Sequence, residues 1–395
     1  MNVCFLIYRL STGGLTSSLF PLVRKLTQQG IGVDLMVFNE NRNFDINIPE
    51  VNIIYNPEVR TPPSFINNLF SLALMPKLAF QHLYFVLIGD KKNQGKSMVR
   101  FIQKTRKKAV EKYENICDLT KYDCVISWEE GFTNYYLAEK VLAKRKIGYM
   151  HPDYRNAGFD KTIDEIPYSK LDAIALVSKS TLDSFCAALP LLSEKAYAVP
   201  NIIDVDKIKK SSLENTSVFK KSDFDIVTVC RLDNISKALD RALHIAKRMK
   251  DDKLIFCWYF VGDGHSKPLM EKLIDKYNLQ DCVFLVGEKS NPHPYTKEAD
   301  LFVLQSYYEG KPLCVDEALI IGTPVLVSNY TSAHEQVCDG EHGLIADNDE
   351  DSIYEKVKYL IQNKQILLEM RESISKIDLG KYEDVTPFLD IIKKK

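Results

Sequence analysis

Residues 304–326, LQSYYEGKPLCVDEALIIGTPVL, read as a strand end, a loop, a helix start and the next strand. The apolar run 299–304 leads into Ser306 and a loop holding Glu309 and Gly310. Pro312 falls where the first turn of a helix begins, a place proline suits because its missing N–H has no partner there anyway. Leu313, Val315 and the run 318–321 carry the helix, Gly322 stops it, and 324–327 is the next strand. A helix N-terminus beside a glycine loop presents unpaired N–H groups and a positive dipole end, which favour a phosphate. Two carboxylates flank this place, Glu309 and Glu317, eight positions apart. Acids do not neutralise a phosphate; they are suited to accept hydrogen bonds from sugar hydroxyls.

The whole string S-x-x-E-G-x-P-x-x-x-x-E-A-x-x-x-G-x-P-V resembles the Glu-x7-Glu signature of retaining GT-B glycosyltransferases, in particular glycosyltransferase family 4. Every fixed position is present, from Ser306 to Val325. The spacing of two glutamates alone would also fit a loop acid and a solvated helix residue. The resemblance implies an α/β fold of GT-B type, with two Rossmann-like, doubly wound parallel-sheet domains facing across a cleft.

Length and composition agree with such a chain. Its 395 residues suit two domains, with 45% hydrophobic and 27% charged residues, ordinary for a packed globular protein. A formal net charge of −1 argues against a global nucleic-acid binder, so no nucleic-acid partner is expected. The nine cysteines are scattered, odd in number and without Cys-x-x-Cys spacing, as buried free thiols in a reducing compartment would be. The opening MNVCFLIYRL lacks a basic leader and a cleavage site and reads as a first β-strand.

The first forty residues form a βαβ unit: strand 3–8, a glycine turn at Ser11, Thr12, Gly13 and Gly14, helix 15–29 and strand 33–38. The turn lacks the G-x-G-x-x-G spacing of dinucleotide folds. Further strands are expected at 123–127, 146–150 and 173–178, then a polar, lysine-rich junction at 201–222. A second βα series has strands at 226–230, 254–261, 283–286, 301–304 and 325–327. Domains are expected at 1–200 and 201–379, with 380–395 crossing back to the first. The variable region 56–115 holds an apolar stretch at 65–88, too interrupted to span a membrane. Nine lysines and arginines then lie between Lys91 and Lys112, against Glu111 alone. This basic segment fits either docking on anionic lipid or a solvated helix.

Site residues follow partly from chemistry and partly from the resemblance. Arg231 and Lys237, after the first strand of the second domain, are cations suited to a diphosphate. The family pattern there is G-R-x-x-x-x-K-G; Cys230 and Ala238 replace its glycines, and the Arg-to-Lys spacing is one longer. His151 ends a strand in KIGYMHPDY, where the resemblance implies contact with the donor sugar, and Asp153 would shape the acceptor pocket. The resemblance further implies that Gly13 and Gly14 admit the donor phosphate and that Glu317 holds the ribose. It puts Glu309 beside the sugar and has Gly310, Lys311, Pro312 and Leu313 offer backbone groups to sugar and phosphate. Gly262 and Gly264 make a sharp turn, which the resemblance places by the nucleotide. Catalytic roles fall to His151 and Glu309. No Asp-x-Asp stands at a suitable strand end, so neither metal nor cofactor is expected. The expected partners are a nucleotide-sugar, UDP-linked by preference, and a glycan or lipid-linked saccharide acceptor in surface polysaccharide assembly. The expected location is the cytoplasm, extending to the inner face of the membrane. The rivals are a non-catalytic GT-B partner subunit and a GT-B epimerase or phosphorylase.

Overall fold

The structure is a computed structural model that describes residues 1–10, 13–39, 51–55, 91–214 and 222–394, with side chains from residue 95 onward in the basic helix Lys91–Glu111. The expected apolar stretch 65–88, and Ser11 and Thr12 of the glycine turn, lie outside the described residues. Packing divides the chain into two compact units, Met1–Ile203 with Asp384–Lys395, and Asp204–Glu383.

The first unit is built on seven parallel strands: β1 Asn2–Ile7, β2 Gly32–Val37, β3 Asn52–Tyr55, β4 Cys124–Ser127, β5 Lys146–Met150, β6 Ala173–Leu176 and β7 Ala196–Ala198. Their order is β3-β2-β1-β4-β5-β6-β7. Alternate residues of each strand feed opposite faces. Val3, Phe5 and Ile7 pack under the helix Gly14–Gln28, with Leu19, Leu22 and Leu26. Cys4 and Leu6 point into a second core around Phe132, Tyr135 and Tyr136. Burial on both faces explains why these strands are apolar throughout rather than alternating. The helix Thr386–Lys393 completes the first core with Phe388, Ile391 and Ile392, and the Phe388 ring stacks on Phe5 at 5.9 Å.

The second unit repeats the plan with six parallel strands: β8 Asp225–Val229, β9 Cys257–Val261, β10 Val283–Gly287, β11 Leu301–Leu304, β12 Val325–Ser328 and β13 Gly343–Ala346. Their order is β10-β9-β8-β11-β12-β13. In both sheets the order reverses beside the first strand of the unit, between β1 and β4 and between β8 and β11. Ligands of open α/β sheets bind outside the carboxyl ends at such a point.

Several local expectations shift for clear reasons. The strand expected from 254 starts at Cys257, because Leu254 still closes the preceding helix by donating to the Met249 carbonyl (3.0 Å). Pro312 precedes the helix Leu313–Ile321 as its N-cap residue, with ψ 117°, rather than opening its first turn. The junction expected at 201–222 contains the helix Val205–Ser211, capped by Asp204, whose Oδ1 accepts from the Lys207 N–H (3.0 Å). The edge strands Asn52–Tyr55, Ala196–Ala198 and Gly343–Ala346 are partly exposed and lack the continuous apolar run of the inner strands.

Candidate functional site

In the second unit the switch point lies between the loops that follow β8 and β11. The β8 loop runs through Cys230 to Lys237 and is laced to the loop after β9. Leu232 N–H donates to the Asp263 carbonyl (2.9 Å), and Asn234 N–H donates to Ser266 Oγ (2.9 Å). This approach requires Gly262 and Gly264. A Cβ on Gly262 would stand 1.9 Å from the Cys230 carbonyl oxygen, and one on Gly264 2.5 Å from that of Leu232. Asp233 caps the turn Asn234–Lys237 by accepting from Ile235 N–H (3.1 Å) and Ser236 Oγ (2.9 Å). Ala238 closes this turn in the left-handed region, φ 50°, where glycine is the unstrained choice.

The β11 loop delivers Glu309 to Lys237. The Lys237 ammonium donates to Glu309 Oε1 at 2.5 Å, and Ser306 Oγ donates to the same oxygen at 2.6 Å. The two charged side chains are only 15% and 12% exposed. Burial lowers the pKa of the Lys237 ammonium, but the adjacent Glu309 charge outweighs it and holds it above its ordinary value. Cys230 and Cys314 stand within the field of this pair, and burial pushes the Cys230 thiol up to about 12, so it stays protonated.

The loop carrying Glu309 is pinned by residues that no motif announces. The buried Arg241 donates through Nη1 to Asn348 Oδ1 (2.9 Å) and through Nη2 to the Gln305 carbonyl, and its guanidinium lies 4.7 Å over the Tyr307 ring. Gln305 Nε2 donates to the Lys237 carbonyl (2.8 Å), and Tyr307 N–H donates to that of Ser236 (2.8 Å). Asn348 Nδ2 donates to the Tyr307 carbonyl (2.8 Å). Nothing but an apolar-to-polar change after a strand would have marked Gln305 in the sequence, and Arg241 and Asn348 carry no such mark.

Gly310, Lys311 and Pro312 lead into the helix Leu313–Ile321, whose first N–H groups, at Leu313 and Cys314, have no intrahelical partner. The Pro312 carbonyl accepts from Gln336 Nε2 (3.1 Å), which fixes the helix start. Glu317 lies on the next turn and faces His293 rather than Lys237. Arg231 is not drawn into the cluster. Its side chain is 73% exposed and meets Asp233 at 3.4 Å. Among the described residues no three His, Cys, Asp or Glu side chains group as a metal site would need.

In the first unit, Gly13 caps the helix Gly14–Gln28 with φ 135°, a conformation open to glycine, and Gly14 begins it. His151 follows β5 at its carboxyl end. Its Nε2 lies 2.7 Å from the Trp128 carbonyl oxygen, which can only accept, so Nε2 carries the proton. The ring stacks on Tyr149 at 5.6 Å, and its backbone N–H reaches Glu130 Oε2 at 3.4 Å. Burial lowers the His151 pKa below 6.5, leaving a neutral ring with Nδ1 as an acceptor at pH 7. Beside it Glu129 accepts from the Tyr8 N–H at 2.5 Å, and burial raises its pKa to about 7. Sequence reasoning passed over Glu129 and Glu130. Asp153, expected to shape an acceptor pocket, is instead fully buried, capping the helix Tyr154–Ala157 and accepting from Ser184 Oγ (2.5 Å).

Residues 209–377 match the family model described as glycosyl transferases group 1. A Campylobacter jejuni protein is 29% identical over 225 residues, 56% of this chain and 59% of its own length. It is named N-acetylgalactosamine-N,N'-diacetylbacillosaminyl-diphospho-undecaprenol 4-alpha-N-acetylgalactosaminyltransferase. The match thus spans little more than half of that relative. A mutant S. aureus TarM, crystallised with fondaparinux, alpha-GlcNAc-glycerol and UDP, superposes with a TM-score of 0.66 at 15% identity, covering 99% of both chains. Anabaena Alr3699/HepE, solved with UDP-glucose, gives 0.66 at 16% identity over 99% of this chain and 98% of its own. The fold is GT-B, α/β with a parallel sheet in each of two domains.

Proposed function

We propose that the protein is a retaining, metal-independent glycosyltransferase, moving a sugar from a nucleoside-diphosphate sugar to a glycan or lipid-linked saccharide in surface polysaccharide assembly. The observation that carries this reading is the half-buried Lys237–Glu309 pair at the switch point, one short loop from the open N-terminus of the helix Leu313–Ile321. The match of residues 209–377 to glycosyl transferases group 1 supports it, and the Campylobacter relative's name supports a lipid-linked acceptor.

Lys237, the first-turn N–H groups and the exposed Arg231 meet the diphosphate, whose charge grows as the bond from sugar C1 to phosphate oxygen breaks. The acceptor hydroxyl attacks C1 from the face the diphosphate leaves, and its proton passes to the leaving phosphate oxygen. Glu309 holds Lys237 and accepts from sugar hydroxyls, Glu317 holds the ribose, and Gly310, Lys311, Pro312 and Leu313 shape the backbone around the donor. His151 orients a sugar through its neutral ring. The exposed Lys104, Arg106 and Lys108 of the helix Lys91–Glu111, with Lys112 just beyond it, meet anionic lipid at the cytoplasmic face.

A thermal-shift screen with UDP, GDP, ADP and CMP, each with and without EDTA, tests the donor site. A saturating ligand at about 100 times its Kd stabilises by about 2.7 kcal/mol. A shift with one nucleoside diphosphate, unchanged by EDTA and lost in Glu317→Ala, is the expected result. No shift with any nucleotide overturns the reading. Anomeric analysis of the transfer product by NMR then tests retention, and flotation with anionic liposomes at low and high salt tests the basic helix.

A further inference from the structure

Glu317 is 19% exposed, yet among the described residues its carboxylate accepts no hydrogen bond. The polar group that faces it is His293 Nε2, at 3.9 Å, too far for a hydrogen bond. Among the described residues that nitrogen in turn has no hydrogen-bond partner, although the imidazole is only 16% exposed. A half-buried carboxylate and a half-buried ring nitrogen thus face each other across a gap that neither closes. Both groups keep hydrogen-bonding capacity that a ligand entering the gap would take up in place of water.

The ring is held from behind. Its Nδ1 meets Ser211 Oγ at 2.7 Å, and Ser211 Oγ also lies 3.1 Å from the Ile208 carbonyl. Asn291 ties the two segments together. Its Nδ2 donates to the Ser211 carbonyl and to Glu214 Oε2, both at 2.9 Å, while its Oδ1 accepts from the His293 N–H at 3.2 Å. His293 is therefore placed by an element other than the helix carrying Glu317, and aimed at Glu317.

The chemistry of the gap selects its occupant. If Ser211 gives its proton to the Ile208 carbonyl, Nδ1 carries hydrogen and Nε2 accepts. If Ser211 gives its proton to Nδ1, Nε2 carries hydrogen and donates. A hydroxyl satisfies both arrangements, because it donates and accepts. A phosphate oxygen can only accept, and the Glu317 carboxylate repels it. A vicinal diol has two such hydroxyls on adjacent carbons, one for each protein group. We propose that His293 is a specificity-determining residue of this site, clasping with Glu317 the vicinal diol of the donor's ribose, one hydroxyl to each. The inference rests on the reading that this unit binds a nucleoside diphosphate, and adds to it a second residue and a rule for which nucleotides are accepted.

The test is calorimetric titration of the full-length protein with UDP, 2′-deoxy-UDP and 3′-deoxy-UDP, replaced by the GDP or ADP series if the thermal screen selects that base. The wild type is expected to bind each deoxy analogue about tenfold more weakly, the loss of one good hydrogen bond. His293→Ala is expected to bind the parent nucleotide about tenfold more weakly and to bind one of the two analogues as tightly as the parent, while still rejecting the other. His293→Gln, whose amide also donates and accepts, restores most of that discrimination. Ser211→Ala, which frees the ring without removing it, lowers discrimination at the same hydroxyl and carries the test should His293→Ala fail to fold. A His293→Ala protein that still rejects both analogues as the wild type does overturns the inference while leaving the donor site intact. So does a Ser211→Ala protein with unchanged discrimination where His293→Ala does not fold. Failure of the wild type to bind any of the nucleotides removes the donor site itself.

Discussion

The two units share one topology and differ in what stands at the switch point. In the second, charge is concentrated and braced: Lys237 and Glu309 are paired in a half-buried setting, with Arg241, Gln305 and Asn348 tying their loops together. In the first, the corresponding strand ends carry a glycine turn at Gly13 after β1 and Glu129 and Glu130 after β4, with a histidine that burial keeps neutral on the adjacent strand end of β5. A parallel sheet fixes where a ligand sits, but the loops decide whether the place suits a diphosphate or an uncharged, hydroxyl-bearing group.

Lys237→Ala against His151→Ala breaks the comparison most sharply. Removing the cation is expected to weaken nucleoside-diphosphate binding and to slow turnover by about 10²–10³-fold, in the range of losing one preorganised electrostatic group. His151→Ala is expected to slow turnover while leaving nucleotide affinity in place. Equal nucleotide affinity in wild type and Lys237→Ala, measured by calorimetry, would remove the charged role assigned to the second unit.

Arg241→Ala asks whether the bracing matters by itself. Arg241 touches no expected ligand, so its loss is expected to lower stability in urea by about 2 kcal/mol, as for a broken buried hydrogen-bond network. Nucleotide affinity should fall with it as the Glu309 loop loosens. A variant as stable as wild type would show that the loop is held by its backbone bonds alone.

Glu129 sharpens the other half. Its carboxyl has a pKa of about 7 because of burial, against 4.5 ordinarily. The folded state therefore holds its proton where the unfolded chain has lost it, so stability declines as pH rises from about 4.5 through 7. Glu129→Gln keeps the acceptor for Tyr8 without the charge. It is expected to match wild type below about pH 4.5 and to be more stable, by up to about 3 kcal/mol, above pH 7. Melting temperatures across pH 4–9 decide this, and parallel curves would deny the carboxyl its buried character.

The smallest effect concerns Ala238, which sits at φ 50° at the end of the Lys237 turn. Ala238→Gly relieves a left-handed alanine, worth about 1–2 kcal/mol, but returns freedom to the unfolded chain, worth about 0.4–1 kcal/mol. A net gain of about 0.5 kcal/mol in chemical denaturation is expected, and a loss would show that the Ala238 methyl is needed for packing.

Legibility followed the same division. The α/β class and the parallel strands could be read from sequence because strands buried on both faces are continuously apolar, and because Gly322 stops its helix in the left-handed conformation that favours glycine. The segment from Ser306 to Glu317 was readable because its loop, helix start and acids are consecutive. Edge strands such as Asn52–Tyr55 and Gly343–Ala346, partly exposed, lack that apolar run and did not show.

By itself, then, the sequence determined the inner strands, the main helices and the Ser306–Glu317 segment, since local sterics and burial patterns are written in consecutive residues. Only the tertiary structure decided pairings across long separations. It joined Lys237 to Glu309, 72 positions on, and brought Arg241 to Asn348, 107 positions on. It set Ser211 behind a ring 82 positions away and aimed that ring at Glu317. Such contacts arise from strand order and loop packing, which no local pattern encodes.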